Sequence, residues 1–397
     1  MSAFSVLVDA RGTQEGFKQH RQRGLGHYAV NLLERLPHMP TRGTLNYLIE
    51  SGRPIEEFIS GSGVQLTTIR PPRARSFPGQ AFAYQRILPA PMRKSACDFA
   101  HFLFHLDAPL YSPIPTIVTI PDLIPHRMKQ SYSWERRVKN SVQFRLERAI
   151  GHRAEAIIAI SEFTRRDIVD HLQVDPGKVS VVYLGVHERF FQRLDPEALA
   201  RVRSLYHLPD RFILYLGGID PRKNVPSLVD AWGELWNDSR FRIPLVLAGK
   251  LANQKEYPAL LDRTRRLGLQ DHLLMPGFVP ENDLPALLAA ASAFAFPSLY
   301  EGFGLPVLQA MAAGCPVLAI RTSSIPEIAG DAAWYAADPT PGKLATGLRT
   351  LLENPEKAAE LTSEGRARAA NFSWDRTAQD TLRVYEAVAE RLKRSPQ

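Results

Sequence analysis

The chain has 397 residues, 45% hydrophobic and 23% charged, a balance that supports sizeable cores in two or three domains and excludes wholesale disorder. Cys97 and Cys315 are too few for a disulfide framework or a structural zinc site, and no run of about 18 uncharged apolar residues offers a membrane-spanning helix. The net charge of +8 sits wholly in the first half: residues 1–195 hold 26 basic and 18 acidic side chains, residues 196–397 hold 23 of each.

Short apolar runs alternate with helix-length amphipathic segments, the pattern of βα units and parallel sheets. In chain order, SVLVDA (5–10) reads as a strand and Tyr28 to Leu36 as a helix. LNYLIE (45–50), VQLTTI (64–69), DFAHFLF (98–104) and TIVTI (116–120) read as strands. Ser133 to His152 reads as a long basic helix carrying Arg136, Arg137, Lys139, Arg145 and Arg148. AEAIIAIS (154–161) is a strand, Glu162 to His171 a helix and VSVVYLGV (179–186) a strand. A loop with a short helical stretch (187–207) leads to the strand RFILYLGG (211–218). Then come a helix from Asn224 to Trp236, the strand PLVLAGK (244–250), a helix from Tyr257 to Leu267 and the strand HLLMPGF (272–278). A helix from Glu281 to Ala291 precedes the strand AFAFPS (293–298), a helix from Leu305 to Ala313, the strand PVLAI (316–320) and a short helix from Ser324 to Ala329. Helices from Glu353 to Ala369 and from Trp374 to Lys393 close the chain.

The expected fold is α/β, with two Rossmann-like domains: 1–195, 196–375, and a last helix (376–397) packing back toward the first. Ligands of such folds bind at the carboxyl ends of the strands, here in the cleft between the halves. The N-terminus lacks a basic segment followed by a long apolar run, so no signal peptide is expected and a cytoplasmic setting fits. The basic first half suggests an anionic partner. Nucleic acid is disfavoured, because interleaved aromatics and a recognisable module are missing.

Three segments of the second half suit anion capture. After Gly218, the turn Ile219-Asp220-Pro221-Arg222-Lys223-Asn224 brings two cations to a helix start. In Ser298-Leu299-Tyr300-Glu301-Gly302-Phe303-Gly304-Leu305-Pro306, glycines admit backbone amides to a ligand and Pro306 fits the first helical turn. Glu301 stands just before that turn and Gln309 eight residues further on, facing the cleft. Gly277, Phe278 and Val279 form a strand end whose backbone could edge a flat base. In the first half, Gly24-Leu25-Gly26 opens a helix after the basic stretch Lys18, His20, Arg21 and Arg23, another phosphate-docking start.

FILYLGGIDPRKN, MPGFVPENDLPALL, SLYEGFGLPVLQAMAAGCPV and SSIPEIAG follow one another as in retaining glycosyltransferases of family GT4, which the chain resembles. RGLGHYAVNLLERL, TIPDLIP and SEFTRRDI extend the resemblance into the first half. The resemblance implies the GT-B fold, two such domains facing across a deep cleft. A nucleotide-diphosphate sugar, GDP-mannose by similarity to polysaccharide mannosyltransferases, would bind the second domain. A glycan or lipid-linked acceptor would bind the first, without a metal or other cofactor. Lipid-linked acceptors would also bring the basic helix to an anionic membrane surface, at its inner face. Lys223 matches the family's phosphate-gripping lysine, with Arg222 standing in for an arginine whose place Gly218 takes. Glu301 matches the first carboxylate of Glu-x7-Glu, near the donor sugar, and the amides of Phe303, Gly304 and Leu305 would meet the diphosphate or the sugar hydroxyls. On this reading Lys223→Ala should lower turnover about a hundredfold with little effect on folding.

Two positions depart from the family. Gln309 replaces the second glutamate, and Pro121 replaces the histidine of a His-Asp pair, with His105, His126 and His27 as candidate substitutes. Both departures suit an alternative, a catalytically silent protein of the same fold that binds nucleotide sugars or glycans.

Overall fold

The computed structural model describes residues 3–17, 24–60, 63–72, 77–128 and 134–394. Lys18, His20, Arg21, Arg23 and Ser133 lie outside them, as do the side chains of Arg136, Arg137 and Lys139. The chain divides into two units, one of residues 1–185 and 374–397, the other of residues 186–373.

In the first unit the strands are β1 (Phe4–Asp9), β2 (Gly43–Glu50), β3 (Gln65–Ile69), β4 (Phe99–Phe102), β5 (Thr116–Ile120), β6 (Ala156–Ala159) and β7 (Val179–Val181). They form one parallel sheet in the order β3-β2-β1-β4-β5-β6-β7. The second unit contributes β8 (Ile213–Leu216), β9 (Leu245–Ala248), β10 (Leu273–Gly277), β11 (Ala293–Phe296), β12 (Val317–Ile320) and β13 (Trp334–Ala336). Their order is β10-β9-β8-β11-β12-β13, again all parallel. Both sheets have the doubly wound order in which the chain works outward from a central strand, then crosses to its other side. The central strands are mainly apolar because helices cover both faces. Each buried Val, Leu or Ile there contributes about 1.5–3 kcal/mol.

The apolar runs locate the strands to within a few residues, and the unforeseen elements include helices Phe77–Ile87, Pro89–Lys94 and Pro341–Glu353 and the strand β13. Proline hid the helices. Pro89 and Pro341 punctuate the sequence as loop residues would, yet each occupies the first helical turn, where its missing N–H costs nothing. Leu344, Leu348 and Leu351 of the last helix join Leu228, Trp232 and Leu235 of helix Val225–Trp236 in the second core. The strand expected over 179–186 ends at Val181, and the helix expected over 162–171 is helical to Asp167 and continues as a π turn, Ile168–Leu172.

The crossing into the second unit falls at Gly185 rather than near residue 195. The Val186 N–H donates to the Phe372 carbonyl at 3.0 Å, Arg366 donates to the Phe191 carbonyl at 2.7 Å, and Phe190 is buried, so this segment is already second-unit structure. Helix Trp374–Arg394 completes the first unit. Its Tyr385 hydroxyl lies 2.7 Å from His101 Nδ1 on β4, whose Nε2 lies 2.9 Å from Thr119 Oγ1 on β5. Burial pushes the His101 imidazole down to about 3, so it serves this network as a neutral ring. Thr377 donates to the Tyr183 carbonyl at 2.8 Å and Lys393 to the Ala3 carbonyl at 2.9 Å.

Candidate functional site

In the second sheet β8 and β11 are neighbours although β9 and β10 come between them in sequence. The loops leaving their carboxyl ends meet, at the usual ligand position of a doubly wound sheet. Lys223 follows β8 and Glu301 follows β11, so the strand order brings together residues 78 positions apart.

The β8 loop ends in a single 3-10 turn, Pro221–Lys223, closed by Asn224 in the left-handed conformation (φ 52°). That turn sends both cations to one carboxylate. Lys223 Nζ lies 2.6 Å from Glu301 Oε1, and Arg222 Nη1 lies 3.0 Å from the same oxygen. Arg222 Nε also pairs with Asp220 at 3.1 Å, and the Lys223 ammonium stands 5.0 Å from the centre of the Phe296 ring. The two loops are tied by backbone as well, the Leu299 N–H donating to the Arg222 carbonyl at 2.7 Å.

Lys223 and Glu301 are only 6% and 9% exposed, so each charge depends on the other. Burial alone would raise the Glu301 carboxyl, but Lys223 and Arg222 outweigh it and hold the group below its ordinary value. Lys223 is held below its ordinary value by burial, assisted by Arg222 and opposed by Glu301. Two cations share one carboxylate, and Asp220, paired with Arg222 at the more exposed edge, brings the formal charge of the group to zero.

Beside this centre begins helix Leu305–Ala312, with Pro306 in its first turn and no side-chain cap. Gly304 precedes it at φ 101°, a left-handed angle that only glycine adopts readily, and a Cβ there would stand 2.6 Å from Ile325 Cδ1. Pro306 has no N–H, and the Val307 and Leu308 N–H groups donate to the Gly304 carbonyl at 2.9 and 3.2 Å, which leaves the Leu305 N–H at the helix start to a ligand or to water.

The remaining expected residues divide. The Gly218 carbonyl accepts from the Tyr215 hydroxyl, and Ile219 donates to Gln254 Oε1 at 2.7 Å, so the β8 loop is internally braced. At the end of β10 the Gly277 carbonyl accepts from Gly249 at 2.8 Å, Phe278 is 52% exposed beside Lys250, and Val279 is buried. Phe303 is buried with its backbone at the helix start. Gln309 is 7% exposed, on a helix buried from Val307 to Ala312. Gly24 and Gly26 stand at the start of helix Gly24–Arg35, which belongs to the first unit. His105 is buried with Nε2 3.4 Å from Glu147, the His126 ring stacks on Phe144, and His27 lies on helix Gly24–Arg35. Phe296, Gln254 and Gly249 were not anticipated; Gly249 directly follows β9 and Phe296 ends β11, which was the available signal for those two.

The family described as Glycosyltransferase Family 4 matches residues 23–190, and that described as Glycosyl transferases group 1 matches residues 200–368. The chain is 31% identical over 236 residues to O-antigen chain mannosyltransferase B of Escherichia coli, covering 59% of this chain and 61% of that protein. It is 34% identical over 275 residues to the serotype-specific mannosyltransferase WbdA of Escherichia coli, covering 67% of this chain and 32% of that protein. It therefore spans about three fifths and one third of these relatives. Anabaena HepE, solved in complex with UDP and glucose, superimposes with a TM-score of 0.72 over 97% of this chain and 100% of that one, at 16% identity. At that identity the likeness establishes the fold.

Proposed function

This chain belongs to the glycosyltransferases of GT-B fold, and from that premise we propose that it moves a hexose, mannose being the reading its relatives favour, from a nucleotide-diphosphate sugar to a glycan or lipid-linked acceptor. The observation that carries the reading is the buried Lys223–Glu301–Arg222 centre beside the uncapped helix start at Gly304. Further support comes from the two mannosyltransferase relatives and from a structural neighbour solved with UDP and glucose.

In the reaction proposed, the bond from the anomeric carbon to the phosphate oxygen breaks and its electron pair leaves with the diphosphate. Negative charge grows on the diphosphate and positive charge on the sugar. Arg222, Lys223 and the amides at the helix start would stabilise the first, and the Glu301 carboxylate, once the diphosphate competes for its cations, the second. Such preorganised donors are worth about 3–4 kcal/mol each in comparable sites. The acceptor hydroxyl would attack on the face the phosphate leaves, passing its proton to the departing phosphate oxygen. Retention follows, and neither a strong protein base nor a metal is called for, which accommodates Pro121.

A thermal-shift panel of nucleotide sugars tests the donor. A ligand at a hundred times its dissociation constant adds about 2.7 kcal/mol of stability. GDP-mannose should raise the melting temperature and UDP-glucose should not; a protein indifferent to every nucleotide sugar would refute the donor assignment.

The acceptor reading extends to the membrane. Val142, Arg145 and Arg148 are exposed along helix Trp134–Arg153, a basic surface suited to anionic headgroups. In liposome flotation the protein should rise with vesicles containing anionic lipid and stay behind with neutral ones. Equal behaviour with both would remove the membrane from the proposal.

A further inference from the structure

The turn that leaves β12 carries three consecutive hydroxyl residues, Thr322, Ser323 and Ser324, ahead of helix Ile325–Ala329. All three are bonded to the short segment that ends in Glu301. Thr322 Oγ1 donates to the Leu299 carbonyl at 3.2 Å. The Glu301 N–H donates to Ser323 Oγ at 3.0 Å, and Ser324 Oγ donates to the Glu301 carbonyl at 3.0 Å. Both ends of the Glu301 residue are therefore held by side chains from a different strand.

Two details separate this from an ordinary turn. Ser324 is completely buried, so water cannot replace its hydroxyl. Ser323 stands at φ 52°, a left-handed angle that glycine takes freely and serine does not. What serine adds there over glycine is the one acceptor that meets the Glu301 N–H.

We propose that Thr322, Ser323 and Ser324 are positioning residues for Glu301, holding its main chain so that the carboxylate reaches Lys223 and Arg222 together. The consequence for turnover rests on the glycosyl-transfer reading above; the consequence for geometry does not. A displacement of about 1 Å at a reacting group can cost a hundredfold in rate.

Ser323→Gly is the informative variant, because it removes the hydroxyl while relaxing the backbone. With GDP-mannose as donor, we expect kcat to fall about tenfold to a hundredfold, the donor KM to stay within about twofold and the melting temperature not to drop. Ser323→Asn, which tolerates the left-handed angle and offers an oxygen acceptor, should recover part of the loss. A Ser323→Gly protein with wild-type kcat overturns the proposal. The crystal structure of the Ser323→Gly, Ser324→Ala double variant reads the geometry directly, with the Glu301 carboxylate expected to withdraw from the Lys223 ammonium. Finding the pair still at 2.6 Å would defeat the positioning role whatever the substrate. If the wild-type chain turns over no nucleotide sugar, the glycosyl-transfer reading fails and the crystallographic comparison alone decides this inference.

Discussion

Lys223→Ala is expected to lower turnover roughly a hundredfold or more and to destabilise the protein as well. The first effect follows from losing a cation beside the departing diphosphate. The second corrects the expectation from sequence, in which a solvated lysine could be removed without structural cost. Lys223 is buried against Glu301, so its removal leaves a desolvated carboxylate with Arg222 as its remaining cation, at a cost of up to about 3 kcal/mol. Removing both partners should be milder than the sum: Lys223→Met with Glu301→Gln strands neither charge, and the two changes should couple by about 0.5–3 kcal/mol. Acid titration supplies an independent check. The folded Glu301 carboxyl binds its proton less readily than the unfolded one, so its contribution is complete above the unfolded value. That contribution is lost as pH falls below about 5 toward the folded value. Denaturant titrations at neutral and acid pH should show a slope in the wild type that Glu301→Gln lacks; parallel profiles would mean that the pair does not stabilise the fold.

Gly249→Ala should be the most damaging change in the second unit that removes no charge. The residue lies at φ 145°, and a Cβ there would stand 2.1 Å from the Gly217 carbonyl oxygen and 3.1 Å from its carbon. Both are backbone atoms at the ends of adjacent strands, so no side chain can rotate away. Conformational strain and overpacking together should cost roughly 3 kcal/mol or more. Gly268→Ala is the matched control, since φ is 68° but no atom lies within 4 Å of the added methyl. A fall in melting temperature much larger for Gly249→Ala than for Gly268→Ala is the expected result. Equal falls would show that the angle alone, and not the approach of Gly217, dictates glycine.

Much of this architecture was legible in the chain. Buried parallel strands must be apolar on both faces, so β5, β6, β8 and β11 announce themselves as runs that no surface segment could carry. The cations and the carboxylate of the candidate site stood out for a related reason: they follow such strands directly, where doubly wound sheets bind ligands. Their mutual pairing did not stand out. It depends on a single 3-10 turn closed by a left-handed Asn224, and nothing in residue spacing signals a positive φ at a residue other than glycine. The same blindness concealed Ser323. Helix Pro341–Glu353 was missed although its leucines repeat at helical spacing, since a proline at its start reads as a break.

The final helix has a consequence for how the molecule comes into being. One domain is interrupted by the other, and its core is not complete until Tyr385 meets His101. During synthesis the intervening domain can mature first, while the amino-terminal domain waits for residues 374–394 before its core is complete. Fragments cut before Trp374 would lack the Tyr385 contact permanently, whereas residues 186–373 form a continuous stretch suited to separate expression.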